Sequence, residues 1–381
     1  MRIAKIELFP LFYQLHKPYG NARGLVEGRA CTIVKLVTDS GEYGYGEAFG
    51  PPAVIEKITQ DLESFFIQQD PLCIPNIMSK VFNQLYHTSS KGLLVCALSG
   101  IEMASWDLIG KKFNIPAYKL LGGKARDVLI PYASTGYMTS TNCDNDLKEQ
   151  INEVKAKGFT AIKIKIGRNI ENDLHRVKMV RSLLPNIKVM VDMNGNYTAD
   201  VAIEAIHKLQ EYEVYWFEEP LPPQDLAGYE NIKISCPKAR IAVGEAEYTR
   251  YGFRELVQNQ LVDIIQPDLS KCGGITEARA IVNMAQANNI RVSPHVWGGM
   301  VGQAAVVHFM LALPPYPHSL DDPEGLYLEY DLGENMLRDD IGKTSVFRND
   351  QGLIEVKDFP GFGVELDEEK LAFYKANVQK V

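Results

Sequence analysis

From residue 127 onward, short β-rich runs recur at one pace: VLIPYAS, AIKIKIG, IKVMVDMN, EVYWFEEP, RIAVGEAE, VDIIQPD and IRVSPH. Amphipathic stretches such as DNDLKEQINEVKAKG and DVAIEAIHKLQEYE lie between them. Strand, helix, strand at a fixed pace is the pattern of a parallel α/β fold. Each run ends in a polar residue, and Lys165, Asp192, Glu218, Glu245, Asp268 and His295 follow one another at steps of 27, 26, 27, 23 and 27. So even a step favours a closed (β/α) barrel. An open doubly wound sheet would carry a nucleotide loop after its first strand, and none is present.

The residues before the beat mix strands and helices. Ile3, Ile6 and Leu8 mark a strand over residues 1–10, and TIVKLVTDSGEYGYGEAF reads as a hairpin turning at Asp39-Ser40-Gly41. Its GYGEAFG has the wrong glycine spacing for a dinucleotide loop. Helical patterns follow at about 52–68, 76–86 and 93–112. The expected division is an N-terminal α+β capping domain over 1–125, a barrel over 126–320, and a segment over 321–381 that closes the barrel and packs on the cap.

Side chains alternate faces along a strand, so AIKIKI puts Lys163 and Lys165 on one face and Ile162, Ile164 and Ile166 on the other. In a barrel both lysines enter the lumen, where two ammonium groups need compensation. At a solvated strand edge the same pair would mean nothing. By the same count Asp192 and Asn194 point inward, Val214, Trp216 and Glu218 share a face, and so do Ile241, Val243 and Glu245. Three adjacent strands then deliver Asp192, Glu218 and Glu245 to the C-terminal mouth, where active sites of this architecture lie. Converging carboxylates need a counter-ion, and oxygen-only ligands point to Mg²⁺. The next two strands supply Asp268 and His295, a carboxylate able to orient an imidazole.

Composition limits the partners. Forty Lys plus Arg against 48 Asp plus Glu give a formal charge of −8, which argues against nucleic acid. The six cysteines show no C-x-x-C pair and read as reduced thiols. MRIAKIELFP lacks a signal-peptide core, and AAVVHFMLALPP is too short to span a bilayer. A cytoplasmic homo-oligomer without membrane or nucleic-acid partners is expected.

The set resembles the enolase superfamily, and within it the mandelate racemase-like branch. The resemblance spans nearly the whole chain: GEYGYGEAF and ALSGIEMASWDLIGKKFNIPAYKLLGG in the cap, then AIKIKIG, VDMN, WFEEP, VGEAE, QPDLSKCGGI, SPHVWGG, YLEYD and FPGFGVELDEE in order. Related branches place a lysine where this chain has Asp268, which argues against the muconate-cycloisomerase and dipeptide-epimerase types. The resemblance implies Mg²⁺-dependent abstraction of the proton α to a carboxylate, giving an enediolate. Lys165 would be one base, its pKa lowered by Lys163 and the ion. His295 with Asp268 would serve the opposite face, and a protonated Glu329 would donate to the substrate carboxylate.

Two acid/base groups permit dehydration of an aldonic or aldaric acid to a 2-keto-3-deoxy acid, and equally racemisation or epimerisation of a 2-hydroxy acid. The cap must choose. QLHKPYGNARGLVEGR lies where a mobile specificity loop is expected, and its His16, Lys17 and Arg23 suit a hydroxyl-rich anion. Asn194, Tyr137 and Trp297 are the other expected substrate contacts. An acid-sugar dehydratase is the reading adopted. The competitors are the racemase or epimerase, a phosphate-binding barrel suggested by Gly273-Gly274 and Gly298-Gly299, and a non-catalytic relative.

Overall fold

The computed structural model describes residues 1–88, 90–141, 143–316 and 325–378. The expected barrel–tail boundary at 320/321 and His318 lie outside the described residues. Among them, eight parallel strands form one sheet: Ile130–Thr135, Ala161–Lys165, Lys188–Asp192, Val214–Glu218, Ile241–Val243, Ile264–Ile265, Arg291–Val292 and Tyr327–Asp331. One main helix follows each of the first seven, from Asp144–Ala156 to Met300–Leu311. The eighth strand returns to pair with the first, Tyr327 opposite Ile130. Between the seventh and eighth, Ser293 Oγ donates to the Tyr327 carbonyl at 2.8 Å. This is a (β/α)₇β barrel.

Alternation sorts the strand residues into two cores. Ile162, Ile164, Val189, Val191, Phe217, Ile241, Val243 and Ile265 join the layer under the helices. Tyr132, Ala161, Met190, Trp216, Ala242 and Ile264, one from each of six neighbouring strands, pack together as an apolar plug. Each lies before the polar strand end, so the plug fills the lower lumen and the charges sit above it. The fifth strand departs from the sequence count. Ala242 faces the lumen, so Ile241 and Val243 face the helices and do not share Glu245's side. Gly244, at φ +144°, breaks the alternation and returns Glu245 to the mouth. A side chain there would also strike Gln266 and Phe253.

The cap sheet runs Tyr43–Ala48, Gly24–Thr38, Ile3–Asn21, then Met138–Thr139 from the loop after the first barrel strand. The segment expected to be a mobile loop is thus the end of a long antiparallel hairpin. Its ladder continues to Asn21 opposite Gly24, with register shifts between Ile3 and Lys5 and between Gln14 and Tyr19. Two further pairs, Tyr19 with Thr139 and Gly20 with Met138, seat the tip on the barrel. Backbone pairing, not glycine mobility, sets its position. The glycines of GYGEAF serve packing: a Cβ at Gly44 or Gly46 would strike the backbone of helix Leu93–Phe113. That 21-residue helix is long and apolar enough to cross a membrane, yet it is buried between the cap sheet and the barrel. The C-terminal helix Glu368–Val378 completes the cap, with Lys375 Nζ donating to the Leu8 carbonyl at 3.1 Å.

Two buried acids of the cap clamp it to the barrel. Glu102 accepts the backbone N–H groups of Ile275 (2.7 Å) and Thr276 (2.9 Å) at the start of helix Gly274–Ala287. Glu47 accepts those of Gly299 (2.5 Å) and Gly302 (2.9 Å) at the start of helix Met300–Leu311. A carboxylate at a helix N-terminus meets unpaired donors and the positive end of the dipole. The glycine pairs after the sixth and seventh strands make room for it, since a Cβ at Gly274 or Gly298 would strike Glu102 or Glu47. The protein's own carboxylates occupy the positions a phosphate would take, which removes the phosphate-binding reading.

Candidate active site

The second strand buries Lys163 and Lys165 in the lumen, 1% and 7% exposed. Lys163 pairs with Glu218, with Glu329 at 2.8 Å and with Asp192 at 3.9 Å. Lys165 pairs with Asp192 at 2.5 Å. The solvated-edge reading of the two lysines therefore fails. One carboxylate oxygen from each of Asp192, Glu218 and Glu245 lies within 4.8 Å of the others.

The surroundings of these acids fit a hard cation. Glu218 Oε2 accepts from Gln266 Nε2 at 2.7 Å and from Trp216 Nε1 at 3.2 Å, and Oε1 turns to Lys163. Asp192 Oδ1 accepts the Asn194 backbone N–H at 2.9 Å. Glu245 Oε2 has no hydrogen bond: His295 Nε2 lies at 3.3 Å, near enough for an ion pair but not aligned to donate. Burial, together with Asp192, Glu329 and Glu245, pushes Glu218 up to about 8 despite Lys163. Three acids crowded beyond what two lysines satisfy, with oxygen donors only, suit a divalent ion such as Mg²⁺.

His295 Nδ1 and Asp268 Oδ2 are 2.8 Å apart. Burial opposes charging of the ring, but Glu245, Glu329 and Asp268 together raise His295 to about 9. The protein's own neighbours act on two further mouth groups. Burial raises Glu329, but Lys163, His295 and Lys165 outweigh it and hold the group down to about 2. It accepts the Val296 backbone N–H at 2.9 Å. Lys165 answers to the same three acids. Burial and Lys163 favour the neutral amine, yet the contact with Asp192 and the fields of Glu245 and Glu218 raise its pKa.

The expected substrate contacts divide. Asn194 lies in the mouth, its Nδ2 3.2 Å from Asp192 Oδ2 and its Oδ1 unpartnered. The Tyr137 ring lies beside Lys165, 5.9 Å from Nζ, and its hydroxyl donates to Asp331 at 2.7 Å. Trp297 Nε1 donates to Tyr137 at 3.1 Å, and the indole stacks on Arg29 at 3.7 Å. Arg23 is exposed, and its guanidinium donates to the carbonyls of Asn194 and Gly195, at 3.5 and 3.3 Å. His16 is exposed and held by Glu334 just past the eighth strand, which also accepts from Tyr13. Lys17 is exposed, and its charge acts on Asp146. His16 and Lys17 are thus surface groups of the hairpin and not mouth groups.

The structure adds residues the sequence reading passed over. Gln266 and Asp331 stand two residues from Asp268 and Glu329 on the same strand faces, so the parity count could have found them. Arg29 comes from the cap, pairs with Asp331 at 2.9 Å and donates to the Trp297 carbonyl. No local pattern announces it.

A barrel of this topology under such a cap, with acids on its third, fourth and fifth strands, defines a class, and the comparisons agree. Residues 5–122 match the mandelate racemase / muconate lactonizing enzyme N-terminal domain, and residues 146–370 the enolase C-terminal domain-like family. The chain belongs to this family. It is 33% identical over 378 residues to the D-galactarolactone cycloisomerase of Agrobacterium fabrum, covering 98% of this chain and 99% of that one. It is 32% identical over 348 residues to the arabinonate dehydratase of Saccharolobus solfataricus, covering 90% and 89%. Among solved structures it resembles the 3,6-anhydro-D-galactonate cycloisomerase from Zobellia galactanivorans, with a TM-score of 0.87, 32% identity, and 98% and 99% coverage.

Proposed function

We propose that this protein is a Mg²⁺-dependent acid-sugar dehydratase that converts an aldonic or aldaric acid to a 2-keto-3-deoxy acid. The observation that carries the reading is the convergence of Asp192, Glu218 and Glu245 beside two differently placed proton-transfer groups, Lys165 and the His295–Asp268 pair. Asp192, Glu218 and Glu245 would hold the ion. When bound, it would polarise the substrate carboxylate and take up the negative charge that now keeps Lys165 protonated. Lys165 would then remove the proton α to that carboxylate. His295, oriented through Nδ1 by Asp268, would give its Nε2 proton to the departing β-hydroxyl. The enol so formed tautomerises to the 2-keto acid. Glu329 would hold the mouth's lysine and histidine charges in place as a carboxylate, and the Tyr137–Trp297 pair would wall the substrate side of Lys165.

The relatives named as cycloisomerases favour a second reading. The same proton abstraction can expel an oxygen tethered in a ring, and the product is then an isomer of the substrate. Incubation with Mg²⁺ and a panel of sugar acids and their lactones, scored for 2-keto product by mass, separates the two. Loss of water supports the dehydratase and an isomeric product the ring-opening reaction. Silence across the panel, with α-deuterium exchange into a simple 2-hydroxy acid, would move the assignment to a racemase.

A further inference from the structure

The loop after the sixth strand carries Lys271, whose side chain is buried at 9% exposure. Among the described residues its ammonium has no hydrogen bond and no ion pair. Its Nζ rests 4.7 Å from the centre of the Phe49 ring of the cap. Phe49 in turn is tied to this loop through its backbone N–H to the Ser270 carbonyl at 3.2 Å. The ammonium lies in the fields of Asp268, Glu245 and Tyr248 and acts on Glu219, so it belongs to the mouth.

Asp192 and Glu218 are sealed at 0%, whereas Lys165, Asn194, His295 and Lys271 keep 7%, 8%, 8% and 9%. Lys271 thus keeps a small opening like that of the proton-transfer groups. The nearby acids offset its charge through their fields but none is bonded to it, so a carboxylate arriving in the mouth would supply a hydrogen-bonded partner. Arg23 and Lys17, the cap cations expected to meet the far end of an anionic substrate, are both exposed.

We propose that Lys271 binds the second carboxylate of the substrate, and so selects dicarboxylic (aldaric) over monocarboxylic (aldonic) sugar acids. The inference rests on the acid-sugar reading above. Its test compares kcat/KM for an aldarate and the aldonate of matching stereochemistry, with Mg²⁺, in wild type, Lys271→Met and Lys271→Arg. Wild type should prefer the aldarate. Lys271→Met should lower the aldarate-to-aldonate ratio by roughly 10- to 100-fold, mainly through KM, as expected for a lost charged hydrogen bond. Lys271→Arg should recover much of the ratio. A lysine that merely supports the loop would depress both substrates together and leave the ratio where it was, and that result overturns the assignment. Calorimetric titration of wild type and Lys271→Met with the same two acids checks the preference without turnover. If wild type neither binds nor converts any acid sugar, the functional reading itself falls, and the inference with it.

Discussion

Glu47 and Glu102 lie as deep in the molecule as Asp192 and Glu218, all at 0–1% exposure, yet the two pairs are treated in opposite ways. Each cap acid is met by two or more backbone N–H groups at a helix start. The mouth acids face one another and two lysines, and Glu245 beside them keeps an oxygen without a hydrogen bond. Burial raises the pKa of Glu47 and Glu102 as well, so depth alone does not distinguish structure from chemistry. Satisfaction does. Acids whose donors come from the backbone hold the fold, and acids left to ions hold a reaction.

The comparison breaks most visibly at the proton-transfer groups. Lys165→Ala and His295→Asn should each lower turnover by roughly 10²- to 10⁴-fold, while thermal melting stays near that of wild type. Exchange of the α-proton that survives one of them shows which face that residue serves. Glu218→Gln should reduce Mg²⁺ affinity by calorimetry, and turnover by roughly 10²- to 10³-fold. In chelator it should melt no lower than wild type, because an amide relieves the crowding that lifts Glu218. If Glu218→Gln kept both turnover and Mg²⁺ affinity, the ion assignment would be wrong. Chelation of the wild type should abolish turnover, and added Mg²⁺ should restore it. At an ion concentration a hundred times Kd, binding should raise stability by about 2.7 kcal/mol.

The same contrast divides two histidines. His295 is raised by its acids. His308, wholly buried against Tyr118 and Phe362, is pulled down to about 4 by desolvation. Its stabilising contribution is complete above pH 6.5 and is lost as pH falls to about 4, because the unfolded chain takes up the proton first. Denaturant melts across that range should show a loss of about 3 kcal/mol that His308→Gln largely abolishes. The smallest effect belongs to the clamp. Glu102→Ala should cost roughly 1–3 kcal/mol of stability with Mg²⁺ affinity unchanged, since Glu102 bonds to none of the three acids that would hold the ion.

What could be read from residues alone follows from periodicity. The barrel, its two lysines, the three acids and the Asp268–His295 pair all sit at strand ends, where a repeat near 27 residues and a period of two locate them. The count reached Glu245 for the wrong reason on a strand of three residues, because a glycine's dihedral angles leave no trace in a hydrophobic pattern. The cap resisted for a related cause. Polarity points to His16, Lys17 and Arg23, but the pairing of the residues around them to Gly24–Thr38 and Met138–Thr139 fixes where the hairpin lies, and Met138–Thr139 is remote in sequence. Lys271 lies past a strand end, beyond the reach of any parity count. Protonation states lie beyond a parity count, since Glu329 and Lys165 answer to neighbours drawn from several strands.

The clamps also bear on how the chain comes together. Glu102 caps a helix 173 residues downstream, and Glu47 one 252 residues downstream. The last two barrel helices therefore obtain their N-terminal partners from a segment synthesised well before them. A fragment beginning at residue 126 would leave those backbone N–H groups bare. Closing loops of this length comes late and slowly, so the cap works as a template on which the barrel's final turns settle, and refolding should wait for that docking.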